Sequence, residues 1–253
     1  MVRKSKKITA AILVIGNEIL SGRTRDQNVS YLASWLNNSL GIKTGEVRIV
    51  PDIESKIIKS ILALSKSYNY VLTTGGIGPT HDDITSKSIS KAFKKKYTYH
   101  KEAYNILLKY YGEKNFNGPR KKMAKMPEGV DLIYNPLTVA PGYKIKNVFV
   151  LPGVPEIMQK MFSEVLKTLK KGYPKKIKTI NTDLYESTIA KLLQEIQIKF
   201  LKCSIGSYPY FNFMTKKGGV NIVVSSWKME SIDEVVFEIQ NMIKLKGGKS
   251  TIV

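Results

Sequence analysis

Two hydrophobic patterns alternate along the first half of the chain. Thr9–Ile15 and Tyr70–Thr74 are short, unbroken apolar runs rich in β-branched residues, the pattern of strands covered on both faces of a parallel sheet. Between them apolar residues recur at helical spacing. One stripe is Tyr31, Leu32, Trp35, Leu36 and Leu40, starting near Gln27 and closed by Gly41. The other is Ile53, Ile57, Ile58, Ile61, Leu62 and Leu64, reaching Ser67. Residues 46–50 read as a further strand, 16–23 as a polar loop and 85–93 as a helix. Strand and helix in regular alternation predict an α/β unit of three layers, a mostly parallel sheet with helices on both faces.

Past Phe93 the pattern loosens. It predicts a helix over Lys101–Tyr111 with Ala103, Ile106, Leu107 and Tyr110 inward, a helical turn over 118–124 and a turn at 127–129. Strands follow over 130–134, Gly142–Ile145 and Val148–Leu151, the last two paired across Lys146-Asn147, then a helix from Glu156 to Lys171. Gly172-Tyr-Pro174 reads as a linker. Beyond it come a strand (177–183), a helix (Glu186–Lys199), two strands (203–208 and 220–225) around a loop (209–219), and a closing helix (231–245). That order is a small α+β module. The expected domains are therefore 1–171 and 172–253, the second an accessory or oligomerisation domain without a carboxylate pair or glycine cradle.

Composition changes the picture little, except in charge. The 253 residues are 43% hydrophobic and 24% charged, ordinary for a globular protein, but the formal net charge is +21. The excess is lysine in short runs (94–96, 121–122, 175–176), with arginine only at 3, 23, 25, 48 and 120. No basic helix interleaved with aromatics appears, so solvated lysine faces are expected and no nucleic-acid partner. Cys203 alone excludes an internal disulfide and reads as core; His81 and His100 are too few for a histidine zinc site. Residues 3–7 and the apolar run after them imitate a signal peptide, yet Gly16-Asn17-Glu18 stands where a small-residue cleavage site belongs. No run nears the ~20 apolar residues of a membrane span. A cytoplasmic protein without membrane contact is expected.

The candidate chemistry lies in Val71-Leu-Thr-Thr-Gly-Gly-Ile-Gly-Pro-Thr-His-Asp-Asp-Ile-Thr85. A strand runs into Gly75, Gly76 and Gly78, and a helix begins near Thr80, Asp82 and Asp83. Strand, glycine loop and helix N-terminus present free N–H groups to an anion. Carboxylates beside a phosphate cradle repel the phosphate unless a divalent cation bridges the two. Asp82 or Asp83 also suits a plain helix cap. In an α/β sheet, ligands bind beyond the carboxyl ends of the strands. Asn17-Glu18 and Asp52 fall at such ends too, although Asp52 alone also suits a turn after Pro51.

These motifs carry a resemblance. Gly16-Asn-Glu-Ile-Leu-Ser-Gly22, Val50-Pro-Asp52, the 73–85 stretch, Ala140-Pro-Gly142 and Leu151-Pro-Gly-Val-Pro-Glu156 occur in the order of the molybdopterin-binding (MoaB/MogA-like) superfamily. The form of 75–83 looks most like the branch with the N-terminal domain of the competence/damage-inducible protein CinA and the corresponding domain of eukaryotic FAD synthases. The tail, with Glu186-Ser-Thr-Ile-Ala190 and Gly206-Ser-Tyr-Pro209, resembles the module that follows in that branch. The resemblance implies a small-molecule ligand, a nucleotide or pterin phosphate, and metal-dependent cleavage of a nucleotide pyrophosphate such as ADP-ribose or FAD. It implies Asp52 and Asp83 as catalytic and metal-holding carboxylates for Mg²⁺, Co²⁺ or Mn²⁺. Thr74, Gly75, Gly76 and Gly78 would cradle phosphate with Thr80 and Asp82; Asn17, Glu18 and Asn28 would close the rim. Pro152, Gly153 and Glu156 would contribute from the second junction. It further implies a homo-oligomer, dimer or trimer. Thr138-Val139 stand where many relatives have Gly-Thr. Neither the amidase domain of longer CinA proteins nor the synthase domain of FAD synthases is present in the sequence, so neither activity is expected. A molybdenum-cofactor factor and a non-catalytic nucleotide binder are the alternatives.

Overall fold

The computed structural model describes residues 8–173, 175–227 and 232–253. The basic residues 3–7, Pro174 and the expected helix start at Ser231 lie outside them. The chain divides after Gly172 into two compact units.

The first unit runs β1 (Thr9–Ile15), α1 (Asn17–Leu20), α2 (Asn28–Ser34), β2 (Lys43–Val50), α3 (Glu54–Ser67), β3 (Tyr70–Thr74) and α4 (Thr85–Ala92). It continues with β4 (Tyr97–Tyr99), α5 (Lys101–Tyr111), α6 (Gly118–Lys122), β5 (Lys125–Pro127), β6 (Asp131–Ile133), β7 (Gly142–Ile145), β8 (Val148–Leu151) and α7 (Pro155–Leu166). Six strands form one sheet in the order β2-β1-β3-β8-β7-β6. β2, β1, β3 and β8 are parallel, and β7 lies antiparallel between β8 and β6. The fold is the mostly parallel α/β sheet expected.

The unbroken apolar run of β1 has a direct cause. Ala11, Leu13 and Ile15 enter a core with Ile57, Ile61 and Leu64 of α3 and Leu107 of α5. Ala10, Ile12 and Val14 enter another with Leu32, Leu36 and, from α7, Met161 and Phe162. Period-two alternation with both faces covered leaves no polar position.

Several elements depart from the expectations. The loop over 16–23 contains one helical turn, α1. The helix expected near 80–83 begins at Thr85, with Ile84 at the cap and no side-chain capping bond; the Asp83 carboxylate is engaged by Thr80 instead, so the capping alternative does not hold. α2 widens after Ser34 into a π-helical turn, Trp35–Ser39, and Gly41 follows at φ +65°. α7 ends at Leu166 rather than Lys171. Pro127 ends a strand: β5 pairs antiparallel with β4, three residues each, and pairing across so long a loop leaves no hairpin signature.

The second unit holds β9 (Lys176–Thr182), α8 (Glu186–Lys199), β10 (Ser204–Asn212), β11 (Lys217–Ser226), α9 (Asp233–Leu245) and β12 (Ser250–Ile252). Its antiparallel sheet is ordered β10-β11-β9-β12, around a core that includes Cys203. The loop expected over 209–219 is mostly strand, in register from Pro209↔Val220 to Asn212↔Lys217. Proline is tolerated there because β10 is an edge strand. Among the described residues no helix is long and apolar enough to cross a membrane.

Candidate functional site

Four adjacent parallel strands deliver four segments to one edge of the sheet. Asn17 and Glu18 follow β1, Asp52 follows β2, the glycine loop follows β3, and Pro152-Gly153 follow β8.

The glycine loop is fixed by its neighbours. Gly75 has φ +100°, and a Cβ there would stand 2.1 Å from the Ile15 carbonyl oxygen. Gly76 has φ +69°, and its Cβ would stand 2.1 Å from Thr85 Oγ1. Both positions demand glycine on conformation and on space. The Gly75 N–H donates to the Leu151 carbonyl at 3.1 Å. Thr85, the first residue of α4, donates its N–H to Gly76 O and its hydroxyl to Gly75 O, both at 3.0 Å. The N–H groups of Gly76, Ile77 and Gly78 find no acceptor among the described residues. The second junction closes on the first. Gly153 comes so near that a Cβ would stand 3.4 Å from Gly75 Cα, and the buried Asn28 donates its amide to Gly153 O at 2.7 Å.

The acidic groups gather on the same edge. The Asn17 N–H, an otherwise unpaired donor at the start of α1, bonds Asp52 Oδ2 at 2.9 Å. Thr80 donates its N–H to Asp83 Oδ2 at 2.8 Å, while its hydroxyl lies 2.5 Å from Asp82 Oδ1 and 2.6 Å from Asp83 Oδ2. One proton thus serves two carboxylates. Burial pushes the Asp52 carboxyl above its ordinary range; the Asn17 bond opposes this, and the charges of Glu18, Asp82 and Asp83 add to the rise. Asp82 is held low, first by its Thr80 hydrogen bond and then by its own backbone N–H, with lesser help from His81 and Lys122. Glu156 is exposed in the first turn of α7, and among the described residues no hydrogen bond or ion pair ties it to the cluster. Pro152 simply precedes Gly153.

Among the described residues no group of three or more His, Cys, Asp or Glu side chains is placed to hold a metal ion unaided. The donor set still fits a hard cation of the Mg²⁺ kind, which takes one or two carboxylates and completes its shell with water and substrate phosphate. Asn28 Oδ1, Thr73 Oγ1 and Thr74 Oγ1 are buried without a hydrogen-bond partner, whereas buried polar atoms are ordinarily paired. Thr73 and Thr74 point to opposite faces of the sheet; Asn28 Oδ1 and Thr74 Oγ1, on the α2 face, fit a polar ligand at this edge.

Sequence reasoning missed Lys122. From α6 it donates to the Thr80 carbonyl, 42 residues away. A lysine pair in a polar turn carries no local sign of such a contact, and the β4–β5 pairing beside it was equally invisible.

Residues 11–171 match the family described as a probable molybdopterin binding domain, and residues 162–248 match the FAD synthase middle domain. The chain belongs to the molybdopterin-binding-domain family. Within it, the chain is similar to CinA-like proteins and FAD synthases. The CinA-like protein of Thermosipho melanesiensis is 32% identical, covering 89% of this chain and 56% of its own length. The probable FAD synthase of Caenorhabditis elegans is 31% identical, covering 95% of this chain and 51% of its own. The chain thus spans about half the length of these two relatives. An Archaeoglobus fulgidus protein is 33% identical over 93% of this chain and 98% of its own. The solved structure of CinA from Thermoplasma acidophilum is 29% identical with a TM-score of 0.61, covering 64% of this chain and 99% of that one.

Proposed function

We propose that the chain is a divalent-cation-dependent nucleotide pyrophosphatase acting on a substrate of the ADP-ribose or FAD type. The observation that carries this reading is the carboxylate cluster of Asp52, Asp82, Asp83 and Glu18, coupled by charge, beside a glycine loop with three N–H groups lacking acceptors. A site for a bare anion gains nothing from four carboxylates; a site for a cation–phosphate pair uses both halves. Asp52 and Asp83 would hold the cation, and Thr80 fixes the Asp83 carboxylate. A bound cation supplies charge neutralisation at the phosphoryl oxygens. The Gly76–Gly78 amides bind the phosphate, and Asn28 braces the Gly153 junction against the loop. Hydrolysis consumes one water, breaks the bridging P–O bond and leaves two phosphate monoesters. Similarity of residues 162–248 to the FAD synthase middle domain favours a nucleotide over a pterin. A cytoplasmic location and a homo-oligomeric state, dimer or trimer, belong to the same proposal; light scattering on the purified chain tests the latter.

The test offers ADP-ribose, FAD and ATP to the purified chain with Mg²⁺, Co²⁺ or Mn²⁺, and with a chelator. Cation-dependent release of AMP from ADP-ribose or FAD is expected, and Asp83→Asn should reduce it about 100-fold or more with the melting temperature little changed. Absence of cleavage under every condition, or full turnover by Asp83→Asn, sinks the reading.

A further inference from the structure

Asp83 belongs to a second feature. It lines a cavity of about 320 Å³ together with Lys87, Tyr97, Tyr99, Lys122 and Lys125. The three lysines come from α4, α6 and β5, and among the described residues none forms an ion pair with a carboxylate, although Lys91 on the same α4 is paired with Glu54 at 2.7 Å. Two of the three ammonium groups are positioned by the fold. Lys122 Nζ donates to the Thr80 carbonyl. Lys125 Nζ lies 4.7 Å from the Tyr99 ring centroid and 5.9 Å from that of Tyr97, close enough for cation–π attraction. Asp83 in the wall and Asp82 beside Lys122 offset part of the lysines' charge, and a bound anion would offset the rest.

The cavity and the acidic cluster share a wall at Asp83. A phosphate at the glycine loop, bridged by a cation to Asp83, would therefore have the lysines as its next neighbours. Taking that loop and cluster as one phosphate site, we infer that the cavity is a second phosphate subsite, receiving the outlying phosphate of a pyrophosphate-linked nucleotide. The exposed ring of Tyr99 offers an aromatic face to the group attached to that phosphate. The ligand class is then narrower than phosphate esters in general: two linked phosphates, one met by backbone amides and cation, the other by lysine.

Binding is measured on the full chain by calorimetric titration with the methylene-bridged, non-hydrolysable analogues of pyrophosphate and ADP-ribose in Mg²⁺, so that the bridging cation is present and no turnover intervenes. Lys87→Ala and Lys125→Ala should each raise the Kd for both probes about tenfold. The arginine variants at the same positions should restore most of the affinity, since the charge stays. Lys91→Ala, which removes an equal charge from α4 outside the cavity, should change Kd less than twofold. With chelator in place of Mg²⁺, Asp83→Asn should bind the pyrophosphate analogue as tightly as the wild type or more tightly, because a like charge is gone. Undetectable binding by the wild type, unchanged binding in the two alanine variants, or equal weakening by Lys91→Ala overturns the subsite. The two proposals separate cleanly. Lysine-dependent binding without any cleavage leaves the subsite standing and removes the pyrophosphatase. Cleavage with a lysine-independent Kd does the reverse.

Discussion

Asp52 illustrates how the site stores repulsion. Its carboxyl is raised from the ordinary value of 3.8 by burial, with three neighbouring carboxylates adding to the rise. A raised folded-state pKa contributes stability below the unfolded value and loses it as pH climbs through the folded value. Asp52→Asn should therefore melt about 2 °C above the wild type at pH 7, with the gap closing as pH falls through the raised folded value and gone by about pH 4. Saturating Mg²⁺ should erase it at neutral pH by stabilising the wild type alone. Equal melting temperatures at pH 7 without cation would contradict the coupling. Gly76 makes the opposite kind of demand. With φ +69° and Thr85 Oγ1 2.1 Å from where a Cβ would sit, Gly76→Ala should cost about 2 kcal/mol or more, measured by urea unfolding. Gly75, Gly76, Asp82 and Asp83 were legible in the sequence because the loop and its acids are contiguous. Lys122 was not, because its contact with Thr80 spans 42 residues and needs the tertiary fold to exist. The exposed Glu156 shows the converse: a motif position read correctly as a helix start, with nothing to draw it to the acids.

At the scale of elements, legibility followed how local the cause was. α3 and α8 lie where helical spacing put them, since the apolar stripe that marks each is also what packs it. β4, β5 and β12 were missed; each is three residues long and exists because a distant strand accepts it. α1 is a related case. Its first N–H is bonded by Asp52, 35 residues away, so the acceptor that completes the turn comes from another strand's end. β10 and β11 outran expectation because proline and glycine read as loop. At an edge strand proline costs no ladder bond, and at Gly219 a Cβ would stand 2.1 Å from the Thr182 carbonyl oxygen of β9. There glycine permits the close strand pairing.

For the whole molecule, the +21 charge read as featureless along the chain, and most of it still has no assigned task. What the fold adds is the gathering of three lysines, none in an ion pair among the described residues, beside the acidic edge, so that part of the excess stands next to its opposite. The strand β1 has a different reach. Its residues are divided one by one between the two cores of the first unit, and it is paired on both sides, with β2 and β3. Neither helical layer can loosen fully while the other keeps a complete floor. The amides of Ala11 to Val14 should then exchange with deuterium only through global opening of this unit, in step with the central residues of β3. Exchange at β1 well ahead of β3 would show that the layers come apart separately. If they do not, the site's four contributing segments are lost together or kept together, and binding at that edge reports on the folding of the whole first unit.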